Sequence, residues 1–382
     1  MKIAFYSPLK PYDHKVISGD RNIAKSLIKL FESLGHEVII PSKFRSYAKN
    51  SEAQHSIYEK SSKEISMILD EFDNKVPDLW FTYHSYYKAP DYFGPLISKK
   101  LSVPYIILEA SYAKKRSIGE WKIGSREAFK SITSANAIIN FTNRDFEEIN
   151  KIIRHKSQNY ILPPFPDTSI FYKKDLDKNI FKKNFSSKFS IPESAPWVLT
   201  VGMMRDDDSK LASYEILSKS MNLLNQDYYL LVVGDGPKKT YVKKLLKEAI
   251  NEKVFFLGEM KPIDLANLYN CCDIFAWPGV NEAFGLSYLE AQACGLPVVA
   301  GNSGGVSEVI NKTKSGFLVD ITDKNPQNFS NALEKLITDS NLRYNMSIAA
   351  ENFINRDRTL ETTAEKLNNI LYMVLNNYKN LN

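Results

Sequence analysis

The sequence predicts an α/β protein made of two doubly wound domains that face each other across a central cleft. Three observations support this prediction. The chain has 382 residues, more than one ordinary hydrophobic core contains. In both halves, short apolar runs alternate with longer amphipathic stretches, which is typical of parallel sheets covered by helices. Between about residues 166 and 194 the alternation weakens into a polar, lysine-rich segment bounded by prolines.

The first domain is predicted over residues 1–170. Its strands are the runs KIAFYSP, HEVIIPS, DLWFTYHS, VPYIILEA, NAIINFT and YILPPF. Helical stretches separate them, such as NIAKSLIKLFESLGH, which ends near Gly35. Residues 171–194 are interpreted as the linker between the domains.

The second domain is predicted over residues 195–355, with strands WVLTVG, YYLLVVGDGP, VFFLGEM, DIFAWPG, PVVAGN and GFLVD. One of its helices is expected to begin near Phe284 or Gly285 and to end at Gly295. Residues 356–382 are predicted to form a C-terminal helix that packs back toward the first domain. Ligands of such sheets bind beyond the carboxyl ends of the strands, so functional residues are expected in the strand-end loops.

Composition excludes several classes of protein. No apolar run is long enough to span a membrane, and MKIAFYSPLK is too short in its apolar part for a signal peptide, so a cytoplasmic protein is expected. Cys271, Cys272 and Cys294 lack metal-ligand spacing and are predicted to be buried free thiols. No nucleic-acid-binding motif is present, and the sequence carries no signal for the oligomeric state.

The net charge of +6 is unevenly distributed along the chain. Residues 1–200 hold 31 Lys and Arg against 22 Asp and Glu, a net charge of +9. This excess favours an anionic partner, such as a lipid surface or a phosphorylated acceptor. The alternative is a lysine-rich, solvated surface that binds no partner.

An anion site is predicted after the first strand of the second domain. Gly202 closes that strand, and Arg205 and Lys210 follow beside a helix start. Backbone N–H groups, the helix dipole and two cations suit a diphosphate, although a solvated charged loop is the alternative. Between the two cations, Asp206 to Asp208 form a D-x-D pattern that in other proteins holds a divalent metal.

We predict no metal and no cofactor. Acidic residues at a helix start also stabilise the helix, and Asp175 and Asp177 repeat the D-x-D pattern in the linker. In VVGDGP, Gly234 and Gly236 begin a dinucleotide fingerprint, but Lys239 takes the place of its third glycine. An NAD enzyme is therefore disfavoured, while the turn still suits close approach of a ligand.

Further candidates lie at other strand ends. Gly304 and Gly305 follow a strand and either contact a ligand or make a tight turn. In the first domain, Gly19 lies in the loop SGDR after the first strand. His84 ends DLWFTYHS and is either structural or catalytic, and Glu109 ends YIILEAS just before Lys114, Lys115 and Arg116.

Two glutamates, Glu282 and Glu290, stand eight residues apart in NEAFGLSYLEAQACG. This spacing is common by chance, so its context carries the interpretation. Glu282 is expected in the loop ahead of the helix, and Glu290 within the helix. The amides of Ala283, Phe284 and Gly285 would be unpaired donors at the helix start.

In this order, VGMMRDDDSK, VVGDGP, VFFLGEM and WPGVNEAFGLSYLEAQACGLPVVAGNSGG resemble the retaining GT-B glycosyltransferases of group 1 (family 4). The resemblance is strongest over residues 198–320, where Glu282 and Glu290 match the family's E-x7-E motif. MKIAFYSP, SGDR, GHEV and TYHS in the first half also fit, but less closely.

The resemblance implies two Rossmann-like domains and a metal-independent transfer of a hexose from a UDP- or GDP-linked donor. The acceptor would be a glycan or a lipid-linked glycan of the cell envelope, as in polysaccharide biosynthesis. The enzyme would be cytoplasmic, with peripheral contact at the inner membrane face. The epimerisation of a nucleotide-sugar and non-catalytic nucleotide-sugar binding stay open as alternatives, and a glycosidase is disfavoured.

The resemblance also implies roles for residues. Glu282 would bond the donor sugar's hydroxyls, Glu290 the ribose, and Arg205 with Lys210 would neutralise the leaving diphosphate. The remaining donor contacts would be made by backbone, at Gly19, Gly202, Gly234, Gly236, Met260, Ala283, Phe284, Gly285 and Leu286. The family often has a histidine where this chain has Glu109, and His84 lies one strand earlier.

Overall fold

The computed structural model describes residues 1–16, 18–153, 158–167, 169–171, 178–312, 314–323 and 325–381. The chain forms two compact units. Unit 1 comprises Met1–Pro163 and Leu360–Asn382, and unit 2 comprises Pro164–Thr359. Each unit contains a parallel six-stranded sheet with alternating helices, which confirms the predicted doubly wound α/β class.

The sheet of unit 1 has the order β2-β1-β3-β4-β5-β6. All six predicted strands form, as β1 (Lys2–Tyr6), β2 (Glu37–Ile39), β3 (Leu79–Ser85), β4 (Tyr105–Ala110), β5 (Ala137–Asn140) and β6 (Asn159–Ile161). The central strands β1, β3 and β4 are buried along most of their length because helices cover both faces. The strand order reverses between β1 and β3, so the crevice of this sheet opens at their carboxyl ends.

The helices of unit 1 are α1 (Gly19–Ser33), α2 (Ala53–Glu71), α3 (Gly94–Leu101), α4 (Lys122–Ser134), α5 (Asn143–Asn150) and α13 (Leu360–Leu381). The Ser18 hydroxyl caps α1 by accepting from the Arg21 amide at 3.3 Å. The C-terminal helix α13 packs on α1, and its Asn368 Oδ1 lies 3.2 Å from His36 Nε2. It begins four residues later than predicted, because α12 of unit 2 extends to Asp357.

The sheet of unit 2 has the order β12-β11-β10-β7-β8-β9. Its strands are β7 (Trp197–Val201), β8 (Tyr229–Val233), β9 (Val254–Gly258), β10 (Ile274–Trp277), β11 (Val298–Gly301) and β12 (Gly316–Val319). Its helices are α6 (Lys178–Phe189), α7 (Asp208–Asn222), α8 (Lys239–Ile250), α9 (Pro262–Cys271), α10 (Leu286–Ala293), α11 (Pro326–Thr338) and α12 (Ser340–Asp357). Here the order reverses between β7 and β10, which places the crevice at the ends of those two strands.

Residues 171–194 were interpreted as a linker, but part of this segment is a helix that belongs to unit 2. Its residues 178–189 form α6, which packs on α9 within unit 2. Lys182 Nζ lies 3.1 Å from Asp273 Oδ2 and 4.9 Å from the centre of the Trp197 ring. Phe185 is the buried residue of α6, so the apolar pattern of this helix is weak. Because the segment is also rich in lysine, the sequence was interpreted as a polar linker.

Two further sequence expectations concern the cysteines and membrane-spanning helices. Cys271, Cys272 and Cys294 are buried free thiols, as predicted, and burial raises the pKa of Cys271 to about 12. In the part of the chain that the structure describes, no helix is both long and apolar enough to cross a bilayer.

Candidate functional site

The crevice of unit 2 brings two of the predicted residues into contact. Lys210 lies in the first turn of α7, after β7, and Glu282 lies in the loop after β10. Lys210 Nζ donates to Glu282 Oε2 at 2.6 Å, and Trp277 Nε1 approaches the same oxygen at 3.3 Å. The side chains of Lys210 and Glu282 are 22% and 21% exposed, so a ligand could reach a pair that water only partly screens.

Hydrogen bonds from α7 hold the loop that carries Glu282. The Val280 amide donates to Ser213 Oγ at 2.9 Å, and Asn281 Nδ2 donates to Ser209 Oγ at 3.2 Å. Asn281 has a left-handed backbone, with φ of 52°, which costs energy in a residue other than glycine. The surrounding bonds therefore fix Glu282 in a defined position.

The glycine pair at 304–305 supports the same loop from the other side. A Cβ on Gly304 would lie 1.8 Å from the Glu282 carbonyl oxygen, and its φ is +60°. The Gly305 amide donates to that oxygen at 3.2 Å. The structure shows that these glycines form a tight turn against the Glu282 carbonyl, and contact of their amides with a ligand stays a prediction.

The start of α10 is built around glycines too. A Cβ on Gly285 would lie 2.6 Å from the ring of Tyr288, and one on Gly279 would lie 2.2 Å from its hydroxyl oxygen. The helix begins at Leu286, one or two residues after the predicted start, and no side chain caps it. Phe284 is buried and Ala283 is exposed. The first-turn amides of an uncapped helix are the donors that an anion or hydroxyl would accept from.

The charged loop ahead of α7 is only partly organised around the crevice. Arg205 is exposed, and its Nη2 lies 3.1 Å from Met203 Sδ. Asp207 caps α7 by accepting from the Lys210 amide at 2.9 Å, and Asp206 pairs with Lys238 at 3.0 Å. These aspartates thus have helix-stabilising and ion-pair roles in the structure.

The second D-x-D, at Asp175 and Asp177, lies outside the described residues. Among the residues that are described, no group of three or more His, Cys, Asp or Glu side chains could hold a metal ion.

The glycines after β8 are required by backbone packing. A Cβ on Gly234 would lie 1.9 Å from Gly202 O, and one on Gly236 would lie 2.4 Å from Met204 O. Their φ angles of +141° and +151° also disfavour any other residue. The segments after β7 and β8 therefore run side by side, and the Met204 amide donates to Asp235 O at 2.9 Å. Met260, predicted near the base, follows β9 and is half-buried.

Glu290 has a different environment from Glu282. It lies on α10, half-buried, and the Tyr269 hydroxyl donates to its Oε2 at 3.2 Å. Burial raises the pKa of Glu290 to about 7, and the bond from Tyr269 opposes that rise. The two glutamates are therefore two separate groups with separate partners, in line with the interpretation that they do not form an acid/base pair.

In unit 1, His84 contacts a carboxylate at the corresponding crevice. His84 Nδ1 lies 2.8 Å from Oδ1 of Asp20, in the first turn of α1 after β1. Burial alone would lower the pKa of His84, but the bond to Asp20 and its charge outweigh burial and raise the pKa. Gly19, the neighbouring residue predicted to contact donor, begins α1 and is exposed.

Glu109 lies beside His84 on the adjacent strand. The register pairs Tyr83 with Leu108 and Ser85 with Ala110, which places His84 opposite Glu109. Both have left-handed backbones, with φ of 62° and 65°. Burial raises the pKa of Glu109 to about 7, although the charge of His84 opposes this rise. Its buried Oε2 has no hydrogen-bond partner among the described residues.

Sequence reasoning missed three contributors to these sites: Asp20, Trp277 and Tyr269. Asp20 was visible within SGDR at the end of a strand, but its contact with His84, 64 residues away, could not be read from the sequence. Trp277 lies in a buried strand and Tyr269 on a buried helix face. At such positions an aromatic side chain indicates the hydrophobic core and not a ligand site.

Residues 181–353 match the family model described as glycosyl transferases group 1. Over 115 residues the chain is 44% identical to a D-inositol 3-phosphate glycosyltransferase of Corynebacterium jeikeium, covering 30% of this chain and 27% of the relative. Over 152 residues it is 35% identical to a GDP-mannose-dependent monoacylated alpha-(1-6)-phosphatidylinositol monomannoside mannosyltransferase of Corynebacterium glutamicum, covering 38% and 39%. The chain thus matches well under half the length of these two relatives.

Solved structures show the same fold. Sucrose-phosphate synthase of Thermosynechococcus elongatus has a TM-score of 0.76 at 17% identity, over 98% of each chain. Alr3699/HepE of Anabaena, solved with UDP-glucose, has a TM-score of 0.70 at 18% identity, over 98% of this chain and all of that one. These likenesses confirm the predicted GT-B fold, and the match to the family model is limited to residues 181–353.

Proposed function

We propose that the protein, whose unit 2 matches the group 1 glycosyltransferases, is a retaining glycosyltransferase that works without a metal. It would move a sugar from a nucleotide-diphosphate donor to a glycan or glycolipid acceptor. The observation that carries this proposal is the Lys210–Glu282 pair at the crevice of unit 2, with Lys210 Nζ at 2.6 Å from Glu282 Oε2. The pair places a cation that would bind phosphate beside a carboxylate that would bind sugar hydroxyls.

Such a pair suits the chemistry of glycosyl transfer. Breaking a glycosyl–phosphate bond places negative charge on the leaving diphosphate and positive charge on the sugar ring. A fixed lysine would stabilise the diphosphate in the transition state without reorganising, and preorganised electrostatic stabilisation of this kind is usually the largest single contribution to catalysis. Glu282 would bond the sugar hydroxyls, and Arg205, exposed on the same loop as the start of α7, would add a second cation once donor binds.

The remaining donor contacts follow from the glycine-rich turns. The uncapped start of α10 would offer amides of Ala283, Phe284, Gly285 and Leu286 to the sugar and the distal phosphate. Glu290 would bond the ribose in exchange for its contact with Tyr269. The base would lie near Gly234, Gly236 and Met260, read mainly by backbone.

Retention would come from attack by the acceptor on the face from which the diphosphate leaves, with a phosphate oxygen taking the acceptor's proton. No enzyme carboxylate is then the nucleophile, unlike in retaining glycosidases, whose two carboxylates flank the scissile bond. The separate partners of Glu282 and Glu290, Lys210 and Tyr269, support this division. In unit 1, His84 and Glu109 would bind and orient the acceptor hydroxyl.

The relatives narrow the substrates to be tested. One is named as GDP-mannose-dependent, and the HepE structure holds UDP-glucose. The acceptors in the relatives' names are an inositol phosphate and a phosphatidylinositol mannoside. For this chain we propose a UDP- or GDP-linked hexose as donor and an anionic or lipid-linked acceptor.

A thermal-shift panel of nucleotide-sugars tests the donor assignment. A donor at 100 times its dissociation constant adds about 2.7 kcal/mol to the free energy of unfolding, which gives a clear shift. We expect a shift with UDP- or GDP-sugars that EDTA leaves unchanged. No shift with any nucleotide-sugar, or one that appears only with manganese, would contradict the proposal.

A further inference from the structure

A buried cation lies where the chain of unit 2 begins and ends. Arg358 is 9% exposed and comes one residue before Thr359, the last residue of the unit. Its Nη1 donates to the carbonyl oxygen of Pro164, the first residue of the unit, at 3.1 Å. Its Nη2 donates to the carbonyl oxygen of Glu308 at 2.8 Å. One guanidinium thus joins both ends of the unit to a turn 50 residues before it.

This guanidinium is costly to bury. Over the described stretches of the chain, no carboxylate lies at ion-pair distance from it, and its Nε has no hydrogen-bond partner. Burial lowers the pKa of Arg358 to about 10, although the charges of Asp357 and Glu308 oppose that change. Because an unpaired buried charge destabilises a fold, a role in the neighbouring site explains Arg358 better than a gain in stability does.

The turn that Arg358 holds leads directly to the backbone of Glu282. Glu308 ends a 3-10 turn, and its amide donates to the Gly305 carbonyl oxygen at 3.0 Å. The Gly305 amide in turn donates to the Glu282 carbonyl oxygen at 3.2 Å. Hydrogen bonds in series therefore connect the guanidinium to the loop that carries Glu282.

A second set of bonds ties the same segment to the residue before Glu282. We call residues 303–308 the support turn. Ser303 Oγ accepts from the Asn281 amide at 2.9 Å, and Ser303 O accepts from the Val306 amide at 3.2 Å. The left-handed backbone of Asn281, with φ of 52°, persists only while its surroundings hold it. A displaced support turn would therefore displace Glu282.

We propose that Arg358 is a positioning residue for the donor sugar, an inference that rests on the function proposed for Glu282. Arg358 holds the support turn, and through that turn it keeps Glu282 where the sugar hydroxyls are bound. Lys210, proposed to bind the diphosphate, is carried by α7 and not by the support turn. Loss of Arg358 should therefore weaken recognition of the sugar and leave recognition of the nucleoside diphosphate intact.

Hydrogen exchange tests the structural step without any ligand. Arg358→Met removes the donors, whereas Arg358→Lys keeps the charge but cannot reproduce the forked contact of a guanidinium. In both variants we expect the peptide that contains Gly305 to exchange at least about fivefold faster, relative to peptides of β8, than in the unchanged protein. If Arg358→Met does not fold, Arg358→Lys decides the test.

Arg343 offers a matched control in the same unit. Its Nη1 donates to the carbonyl oxygens of Leu336 and Ile337 near the end of α11, at 2.5 and 2.8 Å. Arg343→Met should lower stability without changing the relative exchange of the Gly305 peptide. Unchanged relative exchange in the Arg358 variants would overturn the proposal, as would an equal acceleration in Arg343→Met.

Calorimetric titration tests the consequence for the donor, with UDP-glucose compared with UDP and GDP-mannose with GDP. In Arg358→Met we expect the nucleotide-sugar to bind about tenfold more weakly, and the nucleoside diphosphate to bind within about twofold of the unchanged protein. Equal weakening of both ligands, or of neither, would overturn the proposal. If the unchanged protein binds neither nucleotide-sugar, the proposed donor is contradicted, and hydrogen exchange still decides whether Arg358 holds the support turn.

Discussion

At the scale of single residues, both proposed sites contain pairs of ionisable side chains at partly buried positions. Lys210 contacts Glu282 in unit 2 and His84 contacts Asp20 in unit 1, and the four side chains are between 21% and 34% exposed. Pairs of this kind contribute little to stability once desolvation is counted. Their occurrence where each sheet's strand order reverses points to ligand chemistry as their purpose.

Lys210→Ala removes the cation proposed for the leaving diphosphate. We expect kcat for sugar transfer to fall by roughly two to three orders of magnitude, as when one charge-stabilising donor is lost. Lys219→Ala is the matched control, because Lys219 is exposed at the other end of α7. Initial rates at saturating donor give the comparison. Near-normal turnover of Lys210→Ala would contradict the proposal that Lys210 stabilises the leaving diphosphate.

Asp20→Asn tests the pair in unit 1. The bond and charge of Asp20 raise the pKa of His84 against the lowering effect of burial, so the variant should bring that pKa below its value in the unchanged protein. NMR titration of the imidazole protons measures it directly. An unaltered pKa would show that other nearby carboxylates, such as Glu109, and not Asp20, raise the pKa of His84.

At the scale of elements, close backbone contacts shape the sites more than side-chain identity does. The loop after β10 is held by α7 on one side and by Gly304–Gly305 on the other. The turn after β8 meets the segment after β7 at glycines whose Cβ atoms would collide with carbonyl oxygens. Such contacts fix the backbone that we propose binds the donor.

Gly304→Ala should destabilise unit 2 and displace Glu282. The added Cβ would lie 1.8 Å from Glu282 O, and the left-handed φ adds strain, for a total of about 3 kcal/mol. Gly258→Ala separates the two effects, since its φ is +72° but no atom lies within 4 Å of the added Cβ. That control should lose only about 1 kcal/mol in urea unfolding. Equal losses would mean that the contact with Glu282 is relieved at no cost.

The strands and helices were largely predictable from the sequence, whereas the contacts between pairs of site residues were not. Parallel strands buried on both faces are continuous apolar runs, so KIAFY and YIILEA identified β1 and β4. Helix α6 was not predicted, because Phe185 is its buried residue and many of its other residues are lysines. The partners of the site residues lie far away in the sequence, 64 residues between Asp20 and His84 and 72 between Lys210 and Glu282. One sequence shows the strand-end position of each residue but not which strand ends meet.

At the scale of the whole molecule, buried carboxyl groups link stability to pH. Burial raises the pKa of Glu109 and of Glu290 to about 7. A group whose folded pKa is raised binds its proton more tightly in the folded chain, so its stabilising effect is present at low pH. That effect is lost as pH rises from the unfolded value near 4.5 through about 7.

Glu109→Gln should therefore make stability less dependent on pH. Between pH 5 and pH 8, we expect the unchanged protein to lose on the order of 1–3 kcal/mol more than the variant. Urea unfolding at the two pH values measures this difference. Glu71→Gln, at an exposed end of α2, should behave like the unchanged protein. A Glu109→Gln variant with the same pH dependence would show that Glu109 stays ionised when folded.

Transfer of a sugar from a nucleotide donor with retention is the activity proposed for the protein. NMR analysis of the products checks it, with the identified donor incubated first alone and then with acceptor. We expect free nucleoside diphosphate and a glycoside of the donor's own anomeric configuration, with transfer only when acceptor is present. A new nucleotide-sugar formed without acceptor and without free nucleotide, as an epimerase would give, or an inverted glycoside, would contradict it.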